Sequence, residues 1–214
     1  MQARTEFDSA IEDSYRQDVQ GAITVIEAAS ENIPLVFRQN QVPDGSRVGD
    51  HQIDAAAEHI VRWDVRRPAE IFNRGFRPQL SRDMKIDRMY NFRRYQGVPT
   101  ANSVFVSTAR AFHDDKGTPT IWKPDNWDKE TRFRYVISGC YGGIDVNATI
   151  VEKNNHTSEH EITFVGGIRR KFIRYAVEIQ NGVETKVWEN GHALGAPATI
   201  PYPRDIPVER ITPM

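Results

Sequence analysis

Residues 60–68 read Ile-Val-Arg-Trp-Asp-Val-Arg-Arg-Pro. An apolar pair opens a short β-type run, and Pro68 then suits the first turn of a helix, where a missing N–H leaves no intrahelical bond unmade. Helix-tolerant residues follow from Ala69 to Arg74, and Gly75 suits a left-handed helix end. The stretch therefore reads as strand, turn, short helix and stop. A lone arginine at Arg62 would most often form a structural ion pair, here with Asp64 or Glu70. The first amides of a helix from Pro68, together with the guanidinium groups of Arg62 and Arg66, would instead converge on a pyrophosphate.

Working outward, the segment from about Ser103 onward is β-rich. Val104-Phe105-Val106 is followed by apolar or alternating runs at 133–137, 144–151, 162–165, 173–179 and 183–188. Gly142-Gly143, Gly166-Gly167, Asn181-Gly182 and Asn190-Gly191 punctuate them, and the two Asn-Gly pairs favour tight hairpin turns. Upstream, Phe7, Ile11, Tyr15, Val19, Ile23 and Ile26 recur at helical spacing, which predicts an amphipathic helix. Residues 53–59 are rich in helix formers, and Pro43-Asp44-Gly45-Ser46 carries a turn signature. From Pro197 the prolines at 201, 203, 207 and 213 oppose a continued sheet and predict an extended strap. The expected organisation is a helical extension over 1–52, a catalytic domain over 53–196 and a proline-rich strap over 197–214.

With 214 residues, 39% hydrophobic and 27% charged, the chain can bury a substantial core as an ordinary soluble protein. A net charge of −1 supplies no broad electrostatic reason to bind nucleic acid or an anionic membrane. Local excess exists nonetheless, because Arg62, Arg66, Arg67, Arg74, Arg77, Arg82, Arg88, Arg93 and Arg94 crowd residues 62–94; most are expected on a solvated face. The single cysteine, Cys140, excludes an intrachain disulfide and reads as a small buried residue. No apolar run reaches the roughly 20 residues of a spanning helix. Acidic residues near the start interrupt any signal-peptide core, so the chain is expected to be soluble and without a signal peptide.

Two further segments carry chemistry. Ser107 and Thr108 close the Val104–Val106 run, where hydroxyls either satisfy a turn or are held rigidly enough to orient a carboxylate or a ribose hydroxyl. Glu159 and Glu161 are spaced so that a strand would put both on one face, an arrangement that gains nothing unless cations or donors offset the repulsion. His156-Thr157-Ser158-Glu159-His160 also spells the H-x-x-E-H pattern of inverted zinc proteases, which requires a helix to place both imidazoles on one metal. Asn154-Asn155 before it and the β-branched run after it argue against that helix, and no metal is expected.

Taken together, the three segments resemble mono-ADP-ribosyltransferases of the cholera-toxin and pertussis-toxin type, the arginine–serine–glutamate class. Val61-Arg62-Trp63-Asp64-Val65-Arg66-Arg67-Pro68 with Asn73-Arg74-Gly75-Phe76 matches the first region, Phe105-Val106-Ser107-Thr108 the second, and Glu159-His160-Glu161 through Gly166-Gly167-Ile168 the third. Ala109 stands where that family carries a final serine, and the histidine often found between the first two regions is absent from residues 87–92. The resemblance implies an α+β fold of two packed, mainly antiparallel sheets around an NAD cleft, with N-terminal helices. It implies NAD as substrate, bound by Arg62, Asp64, Arg66, Ser107 and Thr108. Glu161 would stabilise the ribosyl cation, Ser107 would position Glu161, and Glu159 would orient and deprotonate the acceptor. A Glu-x-Glu pair implies arginine on a target protein as acceptor, since families modifying asparagine, cysteine or DNA bases usually carry another residue at the Glu159 position. A secreted toxin or injected effector is the implied setting, with a host-cell target and a possible chaperone or delivery domain. Water as acceptor (an NAD glycohydrolase) and a catalytically weakened binding module are the alternatives. Residues 152–158 would form the target-recognition turn, and Phe112, Trp122 and Trp127 would either close over nicotinamide or pack their loop.

Overall fold

The computed structural model describes residues 20–38, 47–48, 51–52, 60–78, 80, 85–97, 103–110, 112–113, 116, 119–137, 143–151, 157–193, 203 and 205–212. In chain order the elements are α1 (Gln20–Ala29), β1 (Phe37–Arg38), β2 (Arg47–Val48), β3 (His51–Gln52), β4 (Ile60–Asp64), α2 (Pro68–Arg74), α3 (Ile86–Met89) and α4 (Phe92–Gly97). There follow β5 (Phe105–Arg110), β6 (Phe112–His113), β7 (Pro119–Thr120), β8 (Arg132–Ile137), β9 (Gly143–Asp145) and α5 (Val146–Thr149). β10 (Glu161–Val165), β11 (Ile173–Gln180), β12 (Val183–Asn190) and β13 (Val208–Ile211) complete the order, with single 3₁₀ turns at Thr157–Glu159 and Arg170–Phe172. The fold is α+β, as expected, with short helices attached to mainly antiparallel strands.

The described residues form two compact units. The first draws on Met1–Gln39, Phe76–Ser107 and Cys140–Arg169, the second on Asn40–Gly75, Thr108–Gly139 and Arg170–Met214, so β5 is divided between them. In the first unit β9 pairs antiparallel with both β1 and β10. Its core joins Ile26 of α1, Phe92 of α4, Phe105 of β5, Ile144 of β9, Val146 of α5 and Val165 at the end of β10. Thus α1 is built into this core through a fully buried Ile26. The part of the expected helix before Gln20 lies outside the described residues, as do 53–59, the Pro43–Ser46 turn, Cys140 and most of the 152–158 loop.

The second unit is laddered in the order β4, β8, β11, β12 and β13, with the last residues of β5 on β4. Asn181 and Gly182 both adopt positive φ, 51° and 77°, the geometry of the expected tight turn between β11 and β12. Val61, Ala109, Val136, Val177 and Val187 form one core cluster, against which Trp63, Trp122 and Trp127 pack. The Trp63 indole donates to the Trp122 carbonyl at 2.9 Å and meets the Trp127 ring edge-on at 6.3 Å. Trp122 and Trp127 therefore pack their loop. Ala109, 5% exposed within this cluster, occupies a place where a serine hydroxyl would have to find a buried partner.

Several expectations are corrected. The run at 144–151 does not continue as strand: Asp145 turns its side chain onto the Ala148 N–H at 2.9 Å and caps α5, because a carboxylate at that position satisfies an amide the helix cannot. β5 extends to Arg110, so Ser107 and Thr108 lie inside a strand rather than at its end. Glu159 belongs to a 3₁₀ turn, and His160, at φ 46°, separates it from the strand that starts at Glu161; the two acids do not share a strand face. Thr157–Glu159 forms a 3₁₀ turn and not an α-helix, and His156 lies outside the described residues. The C-terminal segment does rejoin a sheet, with β13 running parallel to β12. Beyond Pro207 the residues 208–211 regain their N–H donors, and the Pro207 carbonyl itself accepts from Val187 at 2.8 Å.

Gly143 shows how tightly β9 meets β10: a Cβ there would lie 2.5 Å from Ile162 Cγ2 and 3.0 Å from Phe164 Cζ. Gly143→Ala is expected to destabilise the protein by about 1–3 kcal/mol, the usual cost of overpacking. Chemical denaturation should show a lower midpoint with an unchanged m-value.

Candidate active site

One group of the expected residues lies at the C-terminal end of β4, in the second unit. Asp64 accepts from the Arg66 backbone N–H at 2.9 Å, from Arg66 Nε at 3.0 Å and from Arg66 Nη2 at 2.6 Å, while Arg62 Nε lies 3.6 Å from Asp64 Oδ2. Burial alone would raise the Asp64 carboxyl, but the Arg66 hydrogen bonds, with the charge of Arg62 behind them, hold it below its usual range. The same hydrogen bond to Asp64 raises Arg66. Tyr135 of β8 donates to the Arg66 carbonyl at 2.6 Å, and its ring meets Phe72 of α2 edge-on at 6.0 Å, which fixes the turn to the helix. Burial, then the nearby Asp64 charge, pushes the Tyr135 phenol well above its usual value. The helix adds fewer amides than the sequence suggested. Pro68 has none, and the N–H groups of Glu70 and Ile71 both turn back to the Arg67 carbonyl, at 3.0 Å and 3.2 Å.

In the first unit Glu161 opens β10 and is only 5% exposed. Tyr95 of α4 donates its hydroxyl to Glu161 Oε1, and Gln96 Nε2 donates to Oε2 at 3.2 Å. Ser107 of β5 also hydrogen-bonds to the Glu161 carboxyl and to Tyr95. Burial raises the Glu161 carboxyl above its usual range and the Glu159 charge adds to this, against the opposing hydrogen bonds of Tyr95, Ser107 and Gln96. Burial, followed by the Glu161 charge, raises the Tyr95 phenol well above its ordinary value. Glu159 itself is half-buried. The two carboxylates thus differ in character: Asp64, paired with Arg66 beside Arg62, is held below its usual range, and the buried Glu161 is held above it.

The sequence profile of the Scabin-like family matches residues 60–192, more than half of the chain. The chain belongs to the Scabin-like family of toxin-type mono-ADP-ribosyltransferases. It is 33% identical over 140 residues to pierisin from Pieris brassicae, covering 64% of this chain and 16% of pierisin. It is 30% identical over 128 residues to a guanine-specific ADP-ribosyl transferase from Streptomyces coelicolor, covering 60% of this chain and 55% of that enzyme. The chain therefore spans a minor part of pierisin and about half of the Streptomyces protein. The catalytic domain of the mosquitocidal toxin from Bacillus sphaericus matches with a TM-score of 0.70 at 30% identity, covering 88% of this chain and 80% of that one.

Within this transferase family, the expected residues fall into two groups. Ser107 and Glu161 meet directly in the first unit, and Arg62, Asp64 and Arg66 meet in the second. Thr108 is 3% exposed within β5. Tyr95, Gln96 and Thr163 were missed in the sequence. Their signal was present in part: Asn91 precedes a short helix that carries Phe92 and Tyr95 one turn apart, so both rings pack on the same core and a phenol drawn toward it needs a partner. Among the described residues no cluster of metal-ligating side chains occurs, and no helix is long and apolar enough to cross a membrane.

The two carboxylates should respond oppositely to pH. Asp64, held low, stabilises the fold above the usual carboxylate range and loses that contribution as the pH falls through its folded value. Glu161, held high, contributes most below the usual range and loses that contribution as the pH rises through its folded value. Asp64→Asn is expected to lower the melting temperature at neutral pH, with the deficit closing in acid. Glu161→Gln is expected to raise it at neutral pH, with the gain closing in acid. Thermal melts across a pH series check both slopes.

Proposed function

We propose that this chain transfers ADP-ribose from NAD to the guanidinium of an arginine on a target protein. The observation that carries this reading is the division between two nearby acids: Glu161 is buried and pinned on both oxygens, whereas Glu159 is half-buried on a 3₁₀ turn. A pinned carboxylate in a low-dielectric setting suits an electrostatic role toward a developing ribosyl cation. A more exposed carboxylate suits an acceptor that must lose a proton. An arginine guanidinium, with a pKa above about 12, attacks slowly unless a base relieves it of that proton.

The reaction balances as follows. The bond between ribose C1′ and nicotinamide nitrogen breaks, and its electron pair leaves with nicotinamide. A guanidinium nitrogen forms the new bond to C1′, and its proton passes to Glu159 and then to solvent. Arg62 serves the diphosphate of NAD as a cation, with Asp64 and Arg66 holding the strand end from which it projects, while Thr108 supports the strand that carries Ser107. Family membership and the resemblance to toxin catalytic domains support a role as the catalytic part of a delivered toxin or effector. Guanine is the second reading of the acceptor, favoured by 30% identity to an enzyme named as guanine-specific.

Incubation with labelled NAD and either a small guanidine such as agmatine or a guanine nucleoside, followed by mass spectrometry, decides between the acceptors. Label on the guanidine supports the arginine reading, and label on guanine alone overturns it. Nicotinamide release without transfer to either identifies a glycohydrolase, and no NAD binding identifies a binding module. Glu161→Gln is expected to reduce nicotinamide release and transfer together, by roughly 100- to 1,000-fold, the scale for losing one preorganised electrostatic group. Glu159→Gln is expected to reduce transfer to the guanidine while leaving nicotinamide release largely intact.

A further inference from the structure

We propose that Tyr95, with Gln96 beside it, is the positioning residue for Glu161: successive side chains of α4 hold its two carboxylate oxygens in one orientation. This rests on the reading of Glu161 as the residue that stabilises the ribosyl cation. Tyr95 takes Oε1 and Gln96 takes Oε2, so rotation of the carboxylate would break both bonds. Thr163 Oγ1 donates to the Tyr95 hydroxyl at 3.5 Å, which leaves the phenol proton directed to Glu161.

The ring of Tyr95 has little freedom of its own. It lies 5.0 Å from the Phe105 ring and 6.1 Å from Phe92, and Phe92 meets Phe105 edge-on at 5.2 Å. The helix beneath is anchored at its start: Asn91 accepts from the Arg94 N–H at 2.8 Å and donates to the Ala29 carbonyl at 2.7 Å, while Ser30 Oγ accepts from the Phe92 N–H at 2.8 Å. Placement of Glu161 is therefore traceable through Tyr95 to the end of α1. This differs from a packing role, because a tyrosine needed only for its ring would not spend its hydroxyl on a buried acid.

The groups facing Glu161 are Tyr95 and Gln96 from α4, Ser107 from β5 and the Glu159 charge from the preceding turn. Of these, the three hydrogen-bonding groups favour the ionised carboxylate and Glu159 opposes it. Removing the phenol donor therefore makes Glu161 harder to ionise.

The test uses Tyr95→Phe, which keeps the ring. NAD affinity by calorimetry is expected to stay within about twofold, while kcat for nicotinamide release and for transfer fall by the same factor, about 100-fold for a misplaced catalytic group. The acid limb of the kcat/KM profile is expected to move to higher pH, and NMR titration of the Glu161 carboxyl should show the same upward shift without turnover. Gln96→Ala should act in the same direction. Wild-type kcat and an unmoved acid limb in Tyr95→Phe, with Glu161→Gln inactive, overturn the positioning role alone. Wild-type nicotinamide release in Glu161→Gln overturns the catalytic reading instead. Should Tyr95→Phe fail to fold, Thr163→Val loosens the phenol from behind; an upward shift of the acid limb supports the role, and an unmoved limb overturns it.

Discussion

The interaction on which the site depends is the burial of one carboxylate, Glu161, against a phenol, a primary amide and a serine hydroxyl. Burying an acid is costly unless donors offset the lost water, and here three donors are brought from α4 and β5. The arrangement leaves the acid harder to ionise than in water, yet it fixes the direction in which the negative charge acts. A carboxylate that turned freely in water would interact equally well with many solvent dipoles. One that is pinned acts on a developing cation without first reorganising its surroundings.

The second unit solves the opposite problem. Asp64 is also largely buried, but a bidentate guanidinium and a backbone amide from Arg66 satisfy it and hold its carboxyl below the usual range. This pair is local in sequence, and it is braced by Tyr135 and Phe72 from β8 and α2. Arg66, which the sequence places in the phosphate site, spends two of its donors on Asp64.

The acids at 159 and 161 differ in kind because the chain bends between them. His160 at φ 46° ends the 3₁₀ turn and lets the strand begin at Glu161. One acid enters the core of its unit and the other stays near the surface. The spacing that looked like a repulsive same-face pair is instead a split between a buried and a half-buried acid, with enough proximity for Glu159 to raise Glu161.

Much of the second unit was legible in order along the chain. The strand at 60–64, the proline that starts α2, the glycine that ends it and the Asn181-Gly182 turn all follow from local preferences of φ and hydrogen bonding. The Arg62, Ser107 and Glu161 motifs were likewise visible, because each is a short pattern of residue types. Tyr95 was not, since nothing local to residues 91–97 says that its hydroxyl will reach an acid 66 positions away. Nor could spacing reveal that Asp145 would cap a helix inside a β-like run, or that residues 208–211 would pair parallel to β12 after a run of prolines. By itself, the sequence determined the short elements, the family of chemistry and the identities of the acids. Only the tertiary structure decided which acid is buried and what holds it, because burial and hydrogen-bond partners arise between segments distant along the chain.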